Sequence, residues 1–433
     1  MRSLASGFTT GLLALCLVSF GLAAPLLAAG APHIGWSRQF GTDTSDEATA
    51  VAVDGSHNVF VGGNTGGDLF GPNAGLWDGF LRKYDYQGTV LWTTQFGTRK
   101  DDKVYDVTTD GSGGAYVVGY TGPLSRPAAH DTDAYVRRYD ASGGLLWAKT
   151  FGTQADDSAW GVAVDRSGNA YVGGWTAGSL FAANAGDADV FLCKYDASNN
   201  LVWGRQVGSA GPDWSANHCL ALDPSGNIYI GGLTTGDLGG PNPNLYRQLF
   251  LIKYTPEGDL AWKKQYAQWS NSSGGHLAAN AAGKIGMTGE WNDALANRLD
   301  TGGNVEWTTT LDLLGNGIDT YGYCLALDAG GGACIAGGVD GGNSRDVLIW
   351  GLDPSGKYLW HLLQSTMYEE EAYDVAVDSW DRIYVVGYTD GSLFGVSPSP
   401  GGCRQAFVEV LPEPATLSLL ALGALAILGR RRA

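Results

Sequence analysis

Short apolar stretches alternate with polar turns along most of the chain, and the pattern repeats. Residues 146–196 show one full period, with the strand-length pieces LWAKTFG, WGVAVD, NAYVGGWT and DVFLCKYD. Some pieces are apolar at successive positions, so both faces of the sheet they form must be covered. The turns between pieces read Asp-x-Ser-Gly: Asp bonds forward to backbone amides, and Gly accepts the positive φ of a tight hairpin. The pattern therefore predicts four-stranded antiparallel meanders.

A tryptophan marks the same point of every period. The spacings between these tryptophans are 56, 55, 56, 59, 45 and 53 residues, for Trp36, Trp92, Trp147, Trp203, Trp262, Trp307 and Trp360. A period of this size favours sheets stacked around an axis, where each sheet covers the next and edges are protected. The first tryptophan stands before any complete unit, and the last unit has no tryptophan strand of its own. We therefore predict an all-β fold: a seven-bladed β-propeller of four-stranded antiparallel blades over residues 32–411, closed by the N-terminal strand 34–40 joining the C-terminal blade.

One unit departs from the pattern. The unit between Trp262 and Trp307 spans only 45 residues, and it lacks the acidic pair and the long loop of the other units. We expect blade five, about residues 263–307, to be degenerate, shorter and less ordered.

The two ends of the chain differ from the repeats. Residues 1–31 combine Arg2 with an apolar run and small residues, which is typical of a secretory signal peptide, with an uncleaved anchor as the alternative. Residues 412–433 contain Pro412, Glu413 and Pro414, an uncharged apolar run, and then Arg430, Arg431 and Arg432. The run covers 14 residues, fewer than the roughly 20 that a spanning helix needs, so we predict a short apolar C-terminal helix acting as a membrane tail. A tail packed on the propeller is the alternative.

Charge and cysteine content narrow the classes of partner. The formal net charge is −17, and four of the arginines lie in the two ends, so the repeats are more acidic still. Such a body repels phosphate backbones, which argues against nucleic acid as a partner. The five cysteines outside residues 1–31 show neither a disulfide framework nor zinc-ligand spacing. Cys324 and Cys334 fall on strands predicted to pair, and are either bridged or simply buried as small apolar groups.

Acidic residues cluster in the long loops, which the meander places around one mouth of the axis. The candidate calcium ligands are Asp101, Asp102, Asp156 and Asp157, because Ca²⁺ takes six to eight oxygen ligands. The alternative is that each carboxylate caps its own loop by accepting backbone hydrogen bonds, and repetition in every blade favours that interpretation. No other cofactor and no catalytic residue is expected.

Two histidines and two tryptophans fall outside the repeat register. His218 and His276 lie at or near inner strands and could approach the axis, although a packed or solvated histidine is the simpler expectation. Trp77 and Trp214 lie on the long-loop side and could stack on sugars, with ordinary loop packing as the alternative.

The repeat resembles the bacterial β-propeller repeat known as the SBBP repeat. The residues that carry the resemblance are GVAVDRSGNAYVGGWT (161–176), DVFLCKYDASNNLVW (189–203) and their copies from about 34 to 411. The resemblance implies a seven-bladed ring in secreted or surface proteins, with no common enzymatic activity.

Residues 412–433 resemble the PEP-CTERM sorting signal, in which Pro-Glu-Pro is followed by an apolar helix and arginines. The resemblance implies export, recognition near Pro412–Pro414 by an exosortase-type transpeptidase, and an exopolysaccharide and biofilm setting.

Together these patterns favour an exported, surface-associated or extracellular propeller that acts as a non-enzymatic binding or scaffold module. Its partners would be the exosortase-type enzyme and either a polysaccharide or another surface protein. The alternative is a polysaccharide hydrolase or lyase with its site at the acidic mouth. Non-repeated His, Arg, Tyr or carboxylate residues converging on that mouth would favour the alternative; a mouth lined only by residues repeated in every blade would exclude it.

Overall fold

The computed structural model describes residues 26–27, 35–122, 131–270, 273–291, 293–311, 319–340, 344–394 and 403–412. Every regular element within these ranges is a β-strand. The predicted C-terminal helix and most of the predicted signal peptide lie outside them. A search of the described ranges finds no helix long and apolar enough to cross a membrane.

The strands form seven sheets, five of them built from four consecutive strands; the other two each add one strand from the N-terminal part of the chain. Two short strands come first, β1 (Leu26–Leu27) and β2 (Trp36–Phe40). Blade one contains β3 (Asp46–Val53), β4 (Val59–Thr65), β5 (Asp78–Tyr84) and β6 (Val90–Phe96). Blade two contains β7 (Asp101–Thr109), β8 (Ala115–Gly122), β9 (Asp133–Tyr139) and β10 (Leu145–Phe151). Blade three contains β11 (Asp157–Val164), β12 (Ala170–Thr176), β13 (Asp189–Tyr195) and β14 (Leu201–Val207). Blade four contains β15 (Asp213–Leu222), β16 (Ile228–Thr234), β17 (Gln248–Tyr254) and β18 (Leu260–Ser270).

The remaining three blades follow the same plan. Blade five contains β19 (Ser273–Ala279), β20 (Ile285–Trp291), β21 (Asp293–Leu299) and β22 (Val305–Leu311). Blade six contains β23 (Thr320–Leu327), β24 (Ala333–Asp340), β25 (Arg345–Leu352) and β26 (Tyr358–Gln364), and β1 pairs with the outer edge of β26. Blade seven contains β27 (Glu370–Val377), β28 (Ile383–Thr389) and β29 (Gln405–Leu411), with β2 from the other end of the chain as its fourth strand.

The first strand of each blade lies at the axis, because these strands contact one another in succession around the ring. The predicted all-β, seven-bladed propeller of four-stranded antiparallel blades is confirmed. In blade seven, β2 runs antiparallel to β29, with Trp36 opposite Val410 and Phe40 opposite Ala406. The first three strands of blade seven pack against β3 of blade one.

Blade five has four complete strands of seven residues each, although its repeat unit is shorter than the others. Its short period lies in the connection between β20 and β21, where one residue replaces the long loop of blades one to four and seven. The departure seen in the sequence therefore removes a loop from the face of the ring and leaves the sheet intact.

The tight hairpins have the chemistry that the sequence indicates. In the turn after β11, Asp165 Oδ1 accepts the backbone amides of Ser167 at 2.9 Å and Asn169 at 3.0 Å. Gly168 supplies the positive φ of 77°. Cys324 and Cys334 are free, buried thiols, and the register of β23 and β24 places Cys324 opposite Ala336. They therefore fill the role of small apolar residues.

The acidic residues that begin the inner strands point back into their own loops. Asp102 Oδ2 accepts the backbone amide and the hydroxyl of Thr98, at 2.6 and 2.8 Å. Asp157 repeats the contact with Thr153, at 2.5 and 2.9 Å, and its side chain is fully buried. Asp156 Oδ1 accepts the backbone amide of Thr132 at 3.2 Å, which links it to the loop of the preceding blade.

If Asp157 is a loop cap, Asp157→Ala should lower the free energy of unfolding by about 1–3 kcal/mol, because the part-buried amide and hydroxyl of Thr153 lose this acceptor. Urea unfolding of the full chain in mild detergent measures the loss, with Asp187→Ala, an exposed aspartate of the same blade, as the matched control. The same loss in calcium and in chelator is the expected result. A loss that appears only in calcium would instead identify a calcium ligand.

Glu409 on β29 gives the seam between blades six and seven a pH dependence. Its side chain is fully buried and accepts a hydrogen bond from Gln364 Nε2 at 2.7 Å. Burial raises the pKa of Glu409 from 4.5 to about 7, against the opposing effect of that hydrogen bond. The folded protein therefore holds a proton that the unfolded chain releases between these pH values, so this contribution to stability is full below pH 4.5 and is lost as the pH rises through 7.

We expect Glu409→Gln to remove this pH dependence. Between pH 5 and pH 8 the wild type should lose on the order of 2 kcal/mol more unfolding free energy than the variant. The new amide can donate to Gln364 Oε1, which has no hydrogen-bond partner among the described residues. Parallel pH profiles of the urea midpoint for the two proteins are the measurement, and superimposable profiles would contradict the assignment.

Candidate functional site

The seven inner strands all carry a β-bulge at the same level of the axis. The register shifts lie just before the repeated Val-Ala-Val-Asp stretch, as between Val104 and Asp106 in β7 and between Ala372 and Asp374 in β27. A bulge re-aims a side chain and is common beside functional sites. The residues that directly precede the stretch are Ala50, Asp106, Gly161, Cys219, His276, Cys324 and Asp374. Three of the seven blades therefore place a charged or imidazole group where the others place a small one.

Blade four enlarges its bulge. Its inner strand has ten residues where β11 has eight, and its register shift spans Ser215 to Leu220. His218 lies within this insertion at φ 49°, a left-handed conformation that non-glycine residues seldom adopt. The extra length puts the imidazole of His218 on the axis, where the other inner strands have no equivalent group.

Blade five reaches the axis through two glycines. Gly274 and Gly275 have φ values of 106° and 108°, and a Cβ on Gly275 would lie 3.1 Å from the Cα of Gly232. Only glycine accepts this conformation together with that approach to the neighbouring blade. The pair brings the following residue, His276, to the axis beside His218, with 4.8 Å between the ring centroids.

Two carboxylates complete an axial cluster, which we define as Asp106, His218, His276 and Asp374. His218 Nδ1 lies 2.7 Å from Asp106 Oδ1, and His218 Nε2 lies 3.2 Å from the carbonyl oxygen of Thr49. Asp374 sits between the histidines, with Oδ2 at 3.7 Å from His218 Nε2 and Oδ1 at 3.4 Å from His276 Nε2. All four side chains are buried.

The two aspartates also fasten neighbouring blades. Asp106 Oδ2 accepts the backbone amide of Val162 in blade three at 2.7 Å. Asp374 Oδ2 accepts the amide of Val51 in blade one at 2.7 Å. These contacts hold both carboxylates in one orientation, so the cluster is preorganised.

The surroundings shift the pKa values of the two histidines in opposite directions. Burial lowers the pKa of His218, but the carboxylates of Asp374 and Asp106 outweigh it and raise that pKa to about 9. Burial lowers the pKa of His276, and the nearby charge of His218 acts in the same direction. At neutral pH the axis therefore holds one imidazolium and one neutral imidazole, whose Nδ1 accepts the amide of Leu325 at 3.3 Å.

A cavity of about 490 Å³ opens above the cluster on the long-loop side of the ring. Four half-buried aromatic side chains form much of its wall, and none of them is a tryptophan of the repeat register: Trp160, Trp214, Tyr323 and Tyr373. Trp160 is held in place by stacking on Tyr105, with 4.3 Å between centroids, and by donating to Ser158 Oγ at 2.7 Å. We call this cavity the aromatic mouth.

Two charged side chains line the aromatic mouth. Glu371 is neutralised by an ion pair with Arg345. Arg247 is exposed, lies 5.7 Å from the Trp214 ring centroid, and makes no ion pair within the described ranges. The mouth therefore combines flat apolar surfaces with an available guanidinium group.

The opposite face of the ring has a different character. A cavity of about 500 Å³ there is lined by residues of the repeated hairpins, including Asp165, Asp223 and Asn280. A smaller cavity of about 230 Å³ lies along the axis beneath the cluster. Non-repeated polar and aromatic residues thus concentrate on the long-loop side.

The structure places the predicted site residues unevenly. Asp101 and Asp102 begin β7, and Asp157 begins β11 directly after Asp156, so the four candidates lie in the loops of neighbouring blades and are not lining residues of the aromatic mouth. Calcium binding by them stays a prediction. Trp214 lines the mouth, whereas Trp77 is covered by Lys103, whose Nζ lies 3.1 Å from the ring centroid.

The sequence allows His218 and His276 to approach the axis and more simply predicts packed or solvated side chains; the structure has both buried at the axis, in one cluster with carboxylates. Asp106 and Asp374 were missed. All four could have been found from their place in the repeat. Asp106, His276 and Asp374 stand directly before the Val-Ala-Val-Asp stretch, where the other blades have a small residue, and His218 lies in the insertion beside that position.

Two family models match the chain. The β-propeller repeat model SBBP matches residues 35–71, 91–122, 146–182 and 202–239. The PEP-CTERM protein-sorting motif matches residues 410–432 and so includes Pro412, Glu413, Pro414 and the three arginines, of which only Pro412 lies within the described residues.

Individual relatives are distant. The regulatory protein FlaEY of Caulobacter vibrioides is 26% identical over 217 residues, which cover 47% of this chain and 22% of that protein. The chain therefore spans about a fifth of the length of this curated relative. A crystal structure of a protein of unknown function from Bacteroides caccae covers 62% of this chain and 83% of its own, with 12% identity and a TM-score of 0.37.

The sorting motif is of the kind that exosortase-type machinery recognises, and it marks the protein for export to the cell envelope or surface. The chain is therefore a seven-bladed β-propeller protein that contains SBBP repeats and carries a PEP-CTERM sorting motif.

Proposed function

We propose that this exported propeller binds polysaccharide in the aromatic mouth and acts as a non-enzymatic binding or scaffold module at the cell surface. The observation that carries the proposal is the wall of the mouth, where Trp160, Trp214, Tyr323 and Tyr373 expose ring surface around a concave space. Aromatic rings combine a large apolar face with low conformational cost, and ligand sites are typically concave, aromatic and supplied with few polar groups. Pyranose rings offer the matching apolar faces.

The charge of the mouth favours an acidic polysaccharide. Arg247 presents a guanidinium beside the ring of Trp214, and guanidinium groups bind carboxylates in a bidentate geometry. Glu371 is already occupied by Arg345 and adds no free negative charge. A uronate residue stacked on Trp214 would bring its carboxylate to Arg247.

The export motif supports a partner outside the cell. The resemblance to PEP-CTERM proteins suggests an exopolysaccharide and biofilm setting, in which an acidic glycan would be available. After processing by an exosortase-type transpeptidase the propeller would remain at the surface or in the extracellular matrix.

A second candidate function, a polysaccharide hydrolase or lyase, is favoured by the non-repeated histidines and carboxylates beneath the mouth. The geometry supports binding better. Asp106 and Asp374 are held by backbone amides of the next blades, and both ring nitrogens of His218 have partners. These contacts fasten blades to one another, and of the four cluster residues only His276 lines the aromatic mouth.

Isothermal titration of the full chain in mild detergent with oligogalacturonate, and with cellohexaose as a neutral probe, tests the proposal. We expect saturable binding that is tighter for the acidic probe. Trp214→Ala should weaken it roughly 3- to 10-fold, the value of one aromatic contact. Arg247→Gln should reduce the preference for oligogalacturonate.

The matched control is Trp380→Ala, since Trp380 is 49% exposed in a hairpin on the opposite face. Equal affinity of the wild type and Trp214→Ala would contradict the assignment of the mouth. Release of new reducing ends or unsaturated products from the same probes would instead establish the enzymatic candidate.

A further inference from the structure

We infer that the axial cluster is a binding site for one divalent transition-metal ion, held by His218, His276 and Asp374 with Asp106 as a supporting residue. The site lies beneath the aromatic mouth and shares His276 with its lining, but it uses none of the four aromatic rings of the wall. The inference therefore stands or falls separately from polysaccharide binding.

The first support for the inference is the set of ligand atoms at the axis. One ligand atom from each of His218, His276 and Asp374 lies within 4.8 Å of the others, and all three side chains are buried. Two imidazoles and one carboxylate suit Zn²⁺, Fe²⁺ and similar ions rather than Ca²⁺ or Mg²⁺, which prefer oxygen ligands. At bond lengths of about 2.0–2.2 Å the donors around one ion lie about 3.0–3.5 Å apart, and Asp374 already lies 3.4 Å from His276 Nε2 and 3.7 Å from His218 Nε2.

The backbone is built to bring these donors together. The three residues come from blades four, five and seven, so they are distant in sequence and meet only at the axis. Blade four uses an insertion with His218 at φ 49°, and blade five uses consecutive glycines with positive φ. The left-handed conformation of His218 is strained for a residue with a side chain; such strain persists only where the surroundings enforce it, and it concentrates at functional sites.

The supporting contacts match those of a metal site. Asp106 accepts from His218 Nδ1 at 2.7 Å. The other ring nitrogen, Nε2, faces the Thr49 carbonyl oxygen at 3.2 Å and Asp374 Oδ2 at 3.7 Å, so the ion would take the place of the Nε2 proton. A carboxylate on the second nitrogen of a metal-bound imidazole is the common arrangement, because it fixes the ring and raises its basicity. The charges also balance: the two carboxylates compensate a divalent ion.

His276 supplies the second, independent observation. Its side chain is buried, and its Nε2 faces Asp374 Oδ1 at 3.4 Å without the geometry of a hydrogen bond to it or to any other described residue. Coordination through Nε2 moves the ring proton to Nδ1, at the expense of the long 3.3 Å bond from the Leu325 amide. The metal bond replaces a weak contact and satisfies an atom that is otherwise buried without a partner.

The chain offers a control site: a buried His–Asp pair with no second imidazole beside it. His57 Nδ1 lies 2.9 Å from Asp378 Oδ2, and both residues are buried, but no third ligand adjoins them within the described residues. His57→Gln and His276→Gln therefore make the same substitution in similar surroundings, and only the second removes a donor of the cluster.

The test is metal uptake by the full chain, stripped with chelator and dialysed in detergent. Titration with ZnCl₂ should show one saturable equivalent and raise the melting temperature by several degrees, because the ion binds the folded state only. CoCl₂ should give visible absorption bands of nitrogen and oxygen coordination. Uptake should fall at least tenfold in affinity in His276→Gln and stay unchanged in His57→Gln.

Asp374→Asn is a second variant, since it removes a charged donor while its amide oxygen can still accept from the amide of Val51 or that of Val375, which bond to different oxygens of Asp374. It too should weaken uptake at least tenfold. Absence of a saturable equivalent in the wild type would overturn the inference, as would equal uptake by the wild type and His276→Gln.

Discussion

The ring depends on one repeated contact, in which the tryptophan of an outer strand packs on a turn of the next blade. A Cβ added to Gly143 would lie 2.7 Å from the ring of Trp92, and Trp92 Nε1 donates to Ala141 O in the same turn at 2.9 Å. The contact needs both a flat ring and a residue with positive φ and no side chain. It recurs at the pairs Trp36–Gly88, Trp203–Gly258, Trp262–Gly303 and Trp307–Gly356. Because Trp36 belongs to β2, the boundary between blades seven and one is made like the others.

Because the seven blades repeat so closely, the positions at which one blade differs from the others are informative. Structural needs are the same in every blade, so a loop cap such as Asp157 or a hairpin such as Asp165–Asn169 recurs around the ring. A binding site has no reason to obey the repeat. The axial cluster consists of residues that break it, whereas Trp160, Tyr323 and Tyr373 of the aromatic mouth occupy one repeat position, two residues before the Val-Ala-Val-Asp stretch. Both features lie on the side where the loops are long. We interpret this asymmetry as the division between the part of the propeller that holds the fold and the part that meets a ligand.

The sequence predicts the fold well because the information for it is local. Strand pieces, Asp-Ser-Gly turns and the spacing of the tryptophans specify the meander, and their count specifies seven blades. The site depends on register instead. That His218 reaches the axis follows from a two-residue enlargement of one bulge, and that His276 joins it follows from Gly274 and Gly275. Neither consequence can be read from a histidine in isolation.

For the acidic loops, the sequence predicts where the side chains are attached but not where they point. Their position at one end of the inner strands follows from the meander, but the direction of a side chain does not. Asp102 and Asp157 turn back to the amides of their own loops, since those donors are closer than any partner across the axis. The mouth that the sequence suggests to be acidic is consequently walled by aromatic rings.

The central claim is that ligand binding takes place at the aromatic mouth and not on the hairpin face. Hydrogen–deuterium exchange of the full chain, with and without oligogalacturonate, tests it most directly. The account predicts slower exchange in residues 213–220, 273–277 and 370–374 and no change in the hairpins at 165–169 and 223–227. Protection of those hairpins, with the inner strands unaffected, would contradict it.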